Sequence, residues 1–322
     1  MEVVNAVPVE VIPTSVWLIP ALFTLIVYGI GQGLVKMFIN DASPAKFCLF
    51  FVVAKVLLNM GYFLTHEHPD PFSADSSSFM MFGILAYILD GAGWILYFQS
   101  IVFGPITIVG TLSAAYPAIT ILMAKFFLSE QLMNVQYVGV FFVIACCLGL
   151  SYSPSNPNET EDEKKITSNK WIPFAFFALL MWSSAQTLMK YAYSLPNSNE
   201  VNMLVFNTIG GALTLGIYGV LYGIKGQKNS FSEFGKSFLP MGMMAAGDIG
   251  FIIASSKGPI SVISPLTGAY PLVTLLFAAV ILKEKIIKFH WLCIFILLFG
   301  IFLSSAEKDI IVTYLPFLAF LT

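Results

Sequence analysis

The chain contains "GPITIVGTLSAAYPAITILMAKFFLSE" (104–130) and, 154 residues later, "GPISVISPLTGAYPLVTLLFAAVILKE" (258–284). Both passages open on Gly-Pro, carry Tyr-Pro at the same place and end on Glu. Extended over 104–151 against 258–305, 14 of 48 positions are identical. Two unrelated apolar helices share scattered Leu and Ala; they do not share Gly-Pro, Tyr-Pro and Glu in one register. The same shift carries Trp17 onto Trp171, Gln32 onto Gln186 and Lys36 onto Lys190. The chain is a duplication.

Composition says where the duplicated unit lives. Of 322 residues, 57% are hydrophobic and 11% charged, against roughly 25% charged in soluble proteins. Apolar runs of about 20 residues cross a hydrocarbon layer roughly 30 Å thick. They lack the alternation of a membrane barrel strand. The expected fold is an all-α multi-spanning membrane protein with ten transmembrane helices, at 15–39, 46–65, 78–103, 106–128, 134–152, 170–194, 200–223, 236–256, 259–282 and 288–305. A polar stretch, 153–169, divides them into five and five. The expected organisation is a tail (1–14), a first repeat (15–152), a linker (153–169), a second repeat (170–305) and a C-terminal tail (306–322). Five is odd, so the second copy crosses the bilayer in the opposite sense. An inverted repeat of this kind supports alternating access, with a site near midplane between the copies.

Several classes are excluded or disfavoured. All sixteen basic residues are Lys and form no basic face, so nucleic acid is not an expected partner. The cysteines Cys48, Cys146, Cys147 and Cys293 sit in apolar runs without ligand spacing and read as packing residues. His66 and His68 form a loop His-x-His with no third ligand in evident spacing, so no metal is expected, and no cofactor. The N-terminus lacks the basic start of a cleaved signal. An intramembrane aspartyl protease is the competing enzyme, but "AAGD" (245–248) is not its Gly-x-Gly-Asp, and an enzyme is not expected. Lys counting near the loops puts eleven on the linker side and four on the terminal side, so both termini are expected on the non-cytoplasmic side. Asn158-Glu159-Thr160 is a glycosylation sequon only if the linker faces a eukaryotic lumen.

Candidate transport residues are polar groups within spans. Tyr28, Gln32 and Lys36 share one face of the first span, and Trp182, Gln186 and Lys190 repeat the stripe in the sixth. An amide pair with aromatic walls suits a polar organic molecule, although both lysines can equally snorkel to headgroups. Asp90 and Asp248 lie deep in the third and eighth spans, where a carboxylate is costly and faces a cavity or a partner. Either can bind a substrate amine or exchange protons. For Asp90 the structural alternative is an ion pair with Lys55 of the second span, while Asp248 has no evident partner. Tyr116-Pro117 and Tyr270-Pro271 fall mid-helix, where Pro117 and Pro271 bend the helix as gates or as fixed kinks.

The paired Gly-Pro…Tyr-Pro…Glu passages in a 5+5 arrangement resemble the drug/metabolite transporter superfamily, and its EamA-like branch in particular. The resemblance covers roughly 17–305. It implies a cavity lined by the first, third, fourth, sixth, eighth and ninth spans, with the fifth and tenth peripheral. It also implies termini inside, against the Lys count. That family often writes Gly-Glu after the fourth and ninth spans, where this chain has Ser129-Glu130 and Lys283-Glu284. The expected function is secondary-active transport of a small polar or amphipathic metabolite such as an amino acid. The alternative within the superfamily is a nucleotide-sugar or other organic-anion antiporter. The expected partners are the small-molecule substrate, coupling protons, the lipid bilayer and a second copy of the chain as a homodimer.

Overall fold

The structure, a computed structural model, describes residues 13–38, 43–103, 116–151, 171–224, 231–281, 283 and 288–305. The side chain of Lys36, the Gly104-Pro105 pair, Glu284, the linker 153–169 and the tail 306–322 lie outside the described residues. The helices are α1 (Thr14–Phe38), α2 (Pro44–Thr65), α3 (Ser77–Phe103), α4 (Tyr116–Phe127), α5 (Asn134–Ser151) and α6 (Trp171–Ala192). Then come α7 (Glu200–Gly211), α8 (Phe231–Lys257), α9 (Ile260–Gly268), α10 (Pro271–Ile281) and α11 (Lys288–Ser305). No strand occurs among the described residues. Beyond α7 the chain continues to Ile224 through two wide π turns, Ala212–Gly216 and Val220–Ile224, which flank Ile217–Gly219.

Seven helical stretches are long and apolar enough to cross a membrane, and three shorter apolar helices accompany them. Together they are the ten expected spans, with α9 and α10 forming the ninth. Large apolar side chains point outward, among them Ile19, Phe126, Phe141, Val280 and Phe295. In water such a surface would aggregate; in lipid it is the solvated face.

The most extensive helix pairs are α1 with α8, α3 with α6, and α5 with α11. A shift of 154 residues interchanges the first two pairs and maps the third onto itself. The contacts follow the same operation in atomic detail. Tyr28 meets Tyr270 edge-on, ring centroids 6.3 Å apart, and Trp182 meets Tyr116 edge-on at 5.9 Å. Gly247 on α8 lies under the Tyr28 ring, and Gly93 on α3 lies under the Trp182 ring. These are the repeat-related residues 93 and 247, 28 and 182. A Cβ on Gly93 would sit 2.7 Å from Trp182 Cδ1, and one on Gly247 would run into the Tyr28 ring. Small residues admit this approach, which is how helices associate where no hydrophobic effect acts between them.

The Gly-Pro…Glu landmarks also acquire a cause. Glu130, just past α4, caps the start of α9: its carboxylate accepts the N–H groups of Ile260 and Ser261, both at 3.0 Å, and the Ser261 hydroxyl at 2.6 Å. Those N–H groups have no intrahelical acceptor, and the helix dipole favours an anion there. Lys190 grips the other side of the same turn, donating to the carbonyls of Ser255 (2.9 Å) and Gly258 (2.7 Å) at the end of α8. One turn is thus clamped by opposite charges, each on the matching helix terminus.

Tyr270-Pro271 breaks the ninth span rather than bending it. Ala269 ends α9 at φ −75°, ψ 5°, and the helix restarts at Pro271. Proline removes a donor and also pushes the residue before it out of the α region, so two residues leave the helix. Gly268, just ahead of this break, is seated against Pro117 of α4, where a Cβ would lie 3.0 Å from its Cγ.

Ser129 and Lys283 are repeat-related, and both take positive φ, 56° and 58°. A left-handed backbone costs an L-residue with a Cβ roughly 1 kcal/mol, and these are the positions where the resembled family writes Gly. Ser129→Gly and Lys283→Gly should each raise the midpoint of thermal unfolding in detergent, with Ser129→Val lowering it. Gly247→Ala should destabilise by about 1–3 kcal/mol through overpacking against Tyr28, read as a fall in the same midpoint that Tyr28→Ala partly restores.

Candidate functional site

Between the two halves lies a cavity of about 50 Å³, room for about three to five waters at roughly 10–15 Å³ each. Its polar lining comes from α1 (Tyr28), α3 (Tyr87, Asp90), α4 (Tyr116), α6 (Gln186), α8 (Asp248) and α9 (Thr267). Those are the first, third, fourth, sixth, eighth and ninth spans. Ala185, Met189, Phe251 and Ile252 complete the wall.

A charge cluster borders the cavity. Lys55 is fully buried with its ammonium between two carboxylates, 2.9 Å from Asp248 Oδ2 and 4.0 Å from Asp90 Oδ2. The nearer contact is an ion pair by distance but not aligned as a hydrogen bond. The ammonium also lies 4.3 Å from the Phe51 ring centroid and 5.8 Å from that of Tyr87. Gly211 on α7 leaves space for the Lys55 stem, 3.5 Å from where its own Cβ would be. Tyr28 donates its hydroxyl to the other Asp248 oxygen. One turn along α2, the Asn59 amide nitrogen lies 3.0 Å from Asn207 Oδ1 and Thr208 Oγ1 and 3.2 Å from the Leu204 carbonyl, fixing α2 against α7 and hence the height of Lys55.

This arrangement corrects the expected pairing. Asp248, read from the sequence as lacking a partner, is the nearer partner of Lys55 and also takes the Tyr28 hydroxyl. Asp90, read as the partner of Lys55, is the more distant one. The reason is packing: α2 lies against α8 and α7 and barely touches α3, its neighbour in sequence.

The remaining candidates divide. Tyr28, Asp90, Tyr116, Gln186 and Asp248 converge on the cavity. Gln186 Oε1 accepts from Ser264 at 2.5 Å, with Thr120 at 3.4 Å. Tyr270 stands behind Tyr28. Trp182 stands behind Tyr116, packed on Trp94 at 5.2 Å and Tyr97 at 5.4 Å. Gln32, half-buried on α1, is not part of the cavity wall and makes no hydrogen bond to another described residue. Lys190 serves the α8–α9 turn and does not line the cavity. Pro271 marks the break in the ninth span, Pro117 lies against Gly268, and neither lines the cavity. Sequence reasoning missed Tyr87, Met189, Phe251 and Thr267 as lining residues. Each lies three positions from a residue it did single out (Asp90, Gln186, Asp248 and Tyr270), which is one helical turn, so the signal was present.

The repeat operation exposes an asymmetry. Asp248 maps onto Trp94, and Asp90 onto Met244. The contact that is Tyr28 against Asp248 in one half is Trp182 against Trp94 in the other. One seam between the halves is therefore charged and the other aromatic.

Comparison with known proteins agrees with this architecture. No curated protein matches the sequence. A crystal structure of another protein aligns with a TM-score of 0.69 at 13% sequence identity, covering 91% of this chain and 98% of that one; at that identity it speaks for the fold alone. The EamA-like transporter family matches twice, at residues 15–152 and 169–306. The two matches take in both sets of five spans and every residue that lines the cavity, and the chain belongs to the EamA-like transporter family.

Proposed function

We propose that this chain is a secondary-active transporter that moves a small amphipathic metabolite, an amino acid or related amine, by alternating access. The observation that carries the reading is the cavity at the seam of the repeats, backed by two edge-on aromatic contacts, Tyr28–Tyr270 and Trp182–Tyr116, which the repeat operation interchanges. If one contact opens towards one face of the membrane, its twin opens towards the other. Protons are the proposed coupling ion, because Asp90 and Asp248 are the acids bordering the cavity. The organic-anion alternative is disfavoured by the same count: with both carboxyls ionised, two negative charges face one lysine. Phosphate recognition calls for several cationic or N–H donors, and Lys55 is already engaged.

Ala185 tests the reading because it lines the cavity and is buried, while Cys48, Cys146 and Cys293 are buried elsewhere. In proteoliposomes, Ala185→Cys should be labelled by a membrane-impermeant thiol reagent added from either side, well above the parent chain. Labelling from one side only, or from neither, would overturn alternating access. Tyr28→Phe removes the hydroxyl that holds Asp248 and should slow counterflow of a transported amine by about tenfold, in line with a hydrogen bond to a charged group, leaving the melting midpoint within a few degrees.

A further inference from the structure

Three charges meet beside the cavity, and they are not equivalent. Asp248 is held twice, by Lys55 and by the Tyr28 hydroxyl. Asp90 is held once and loosely: its one cationic partner among the described residues is Lys55 at 4.0 Å, and no described donor gives it a hydrogen bond. About a quarter of its side chain is exposed, against about an eighth for Asp248, and the cavity is what exposes it. Around it stand the rings of Tyr28, Tyr87, Tyr116 and Phe251, and π faces attract cations. With both carboxyls ionised the cluster lacks one positive charge. An unpaired carboxylate at this depth is unfavourable, and Asp90 is the acid that the cavity leaves open to a cation.

We propose that Asp90 binds the ammonium group of the transported molecule, and that Lys55 is a tethered cation which balances the charge of Asp248 so that the site takes one positive charge per cycle. This rests on the transport reading above and adds the chemical class: a monocationic amine on an apolar or aromatic body, its head group sized to the small cavity. Lys55 is suited to the role by its position between both carboxylates and by its poor alignment for a hydrogen bond to either. When the ammonium leaves, a short movement lets Lys55 share itself between the two acids. When it returns, Lys55 goes back to Asp248. No chemical bond changes in either step. The geometry also gives each carboxylate a separate part: Asp90 is the binding residue, and Asp248 acts through Lys55 as a positioning residue.

The test uses the full chain in detergent with three probes of one shape and different charge: phenethylamine, 2-phenylethanol and phenylacetate. At neutral pH only phenethylamine should raise the melting midpoint in a saturable way. Asp90→Asn should weaken that binding at least about tenfold, the size expected for a hydrogen bond to a charged group. Asp248→Asn should weaken it comparably, because Lys55 then turns to Asp90 and pairs with it in place of the ammonium. The double variant Lys55→Met with Asp248→Asn leaves Asp90 as the single charge and should recover binding to within a few-fold of the parent chain. A purely structural role for Asp248 would not give that recovery. Replacing an ion pair as a unit is tolerated better than breaking it, so the double variant is expected to fold; the unliganded midpoints of all variants report this directly.

Equal binding of phenylacetate or 2-phenylethanol overturns the ammonium assignment, as does undiminished binding by Asp90→Asn. A folded double variant that binds as weakly as Asp248→Asn overturns the part given to Lys55. If Ala185→Cys is labelled from both sides while phenethylamine does not bind, transport stands and this inference falls. If phenethylamine binds through Asp90 while labelling is one-sided, the ammonium site stands and the transport reading falls.

Discussion

Inside a bilayer an apolar helix face gains nothing by leaving lipid for another apolar face, so helices must hold one another by close approach. In this chain the close approach is made twice by one device. A glycine on the third span of each half admits the ring of an aromatic residue from the first span of the other half, Gly93 beneath Trp182 and Gly247 beneath Tyr28. The halves are therefore joined crosswise, by α1 with α8 and by α3 with α6, rather than each closing on itself. Everything else is hung from these seams. The rings that fill the glycine seats are the same rings that stand edge-on to Tyr270 and Tyr116, and Tyr28 and Tyr116 both line the cavity. A residue that sets helix distance thereby also sets the wall of the site.

Within that symmetry the charges are placed without symmetry. The copies keep the residues that shape the backbone, namely Gly-Pro, Tyr-Pro, Glu and the glycine seats. They differ where chemistry is done: Asp248 answers to Trp94, Asp90 to Met244 and Lys55 to Ile209. A symmetric pair of charged clusters would place four acids and two lysines in one small volume, each needing a partner out of reach of water. Gathering the charge around one lysine leaves the Trp94–Trp182 contact free to close by aromatic packing alone. Trp94, Tyr97, Tyr116 and Trp182 do this, with centroids 5–6 Å apart, the distance at which edge-on rings are favourable.

How much of this was legible in the sequence depends on whether the physics was local. The ten spans, the duplication and the inversion could be read because span length and repeat register are properties of the chain itself. The cavity residues Tyr28, Asp90, Tyr116, Gln186 and Asp248 could be read because a polar group in an apolar helix needs a polar surrounding. Their neighbours Tyr87, Met189, Phe251 and Thr267 were equally within reach, one turn away on the same helix faces. The pairing of Lys55 with Asp248 was not legible. Sequence order suggests that α2 packs on α3, whereas crosswise joining of the halves puts α2 against α8, and nothing in the α2 sequence announces that. Lys190 was misleading for a related reason: its four-residue spacing from Gln186 puts it on the cavity face, but the last turn of α6 lies beyond the cavity, level with the turn it clamps.

The ninth span is interrupted at residues 269–270, beside the Tyr116-Pro117 pair of the other half. Residues 116–117 and 268–271 pack on one another where the copies meet, with Gly268 against both Pro117 and the Tyr116 ring. A continuous helix resists bending along its whole hydrogen-bonded length, whereas a helix already interrupted can turn its two parts independently at the cost of few bonds. α9 is clamped at its start by Glu130 and at the preceding turn by Lys190, and it is wholly buried. α10, beyond the break, has outward-facing residues such as Val280 and Ile281 and is tied to α1 through the Thr274 hydroxyl, which donates to the Gly29 carbonyl at 3.0 Å. Gly29 follows Tyr28 directly on α1, so the helix beyond the break and the hydroxyl that Asp248 accepts are anchored on adjacent residues of one helix turn.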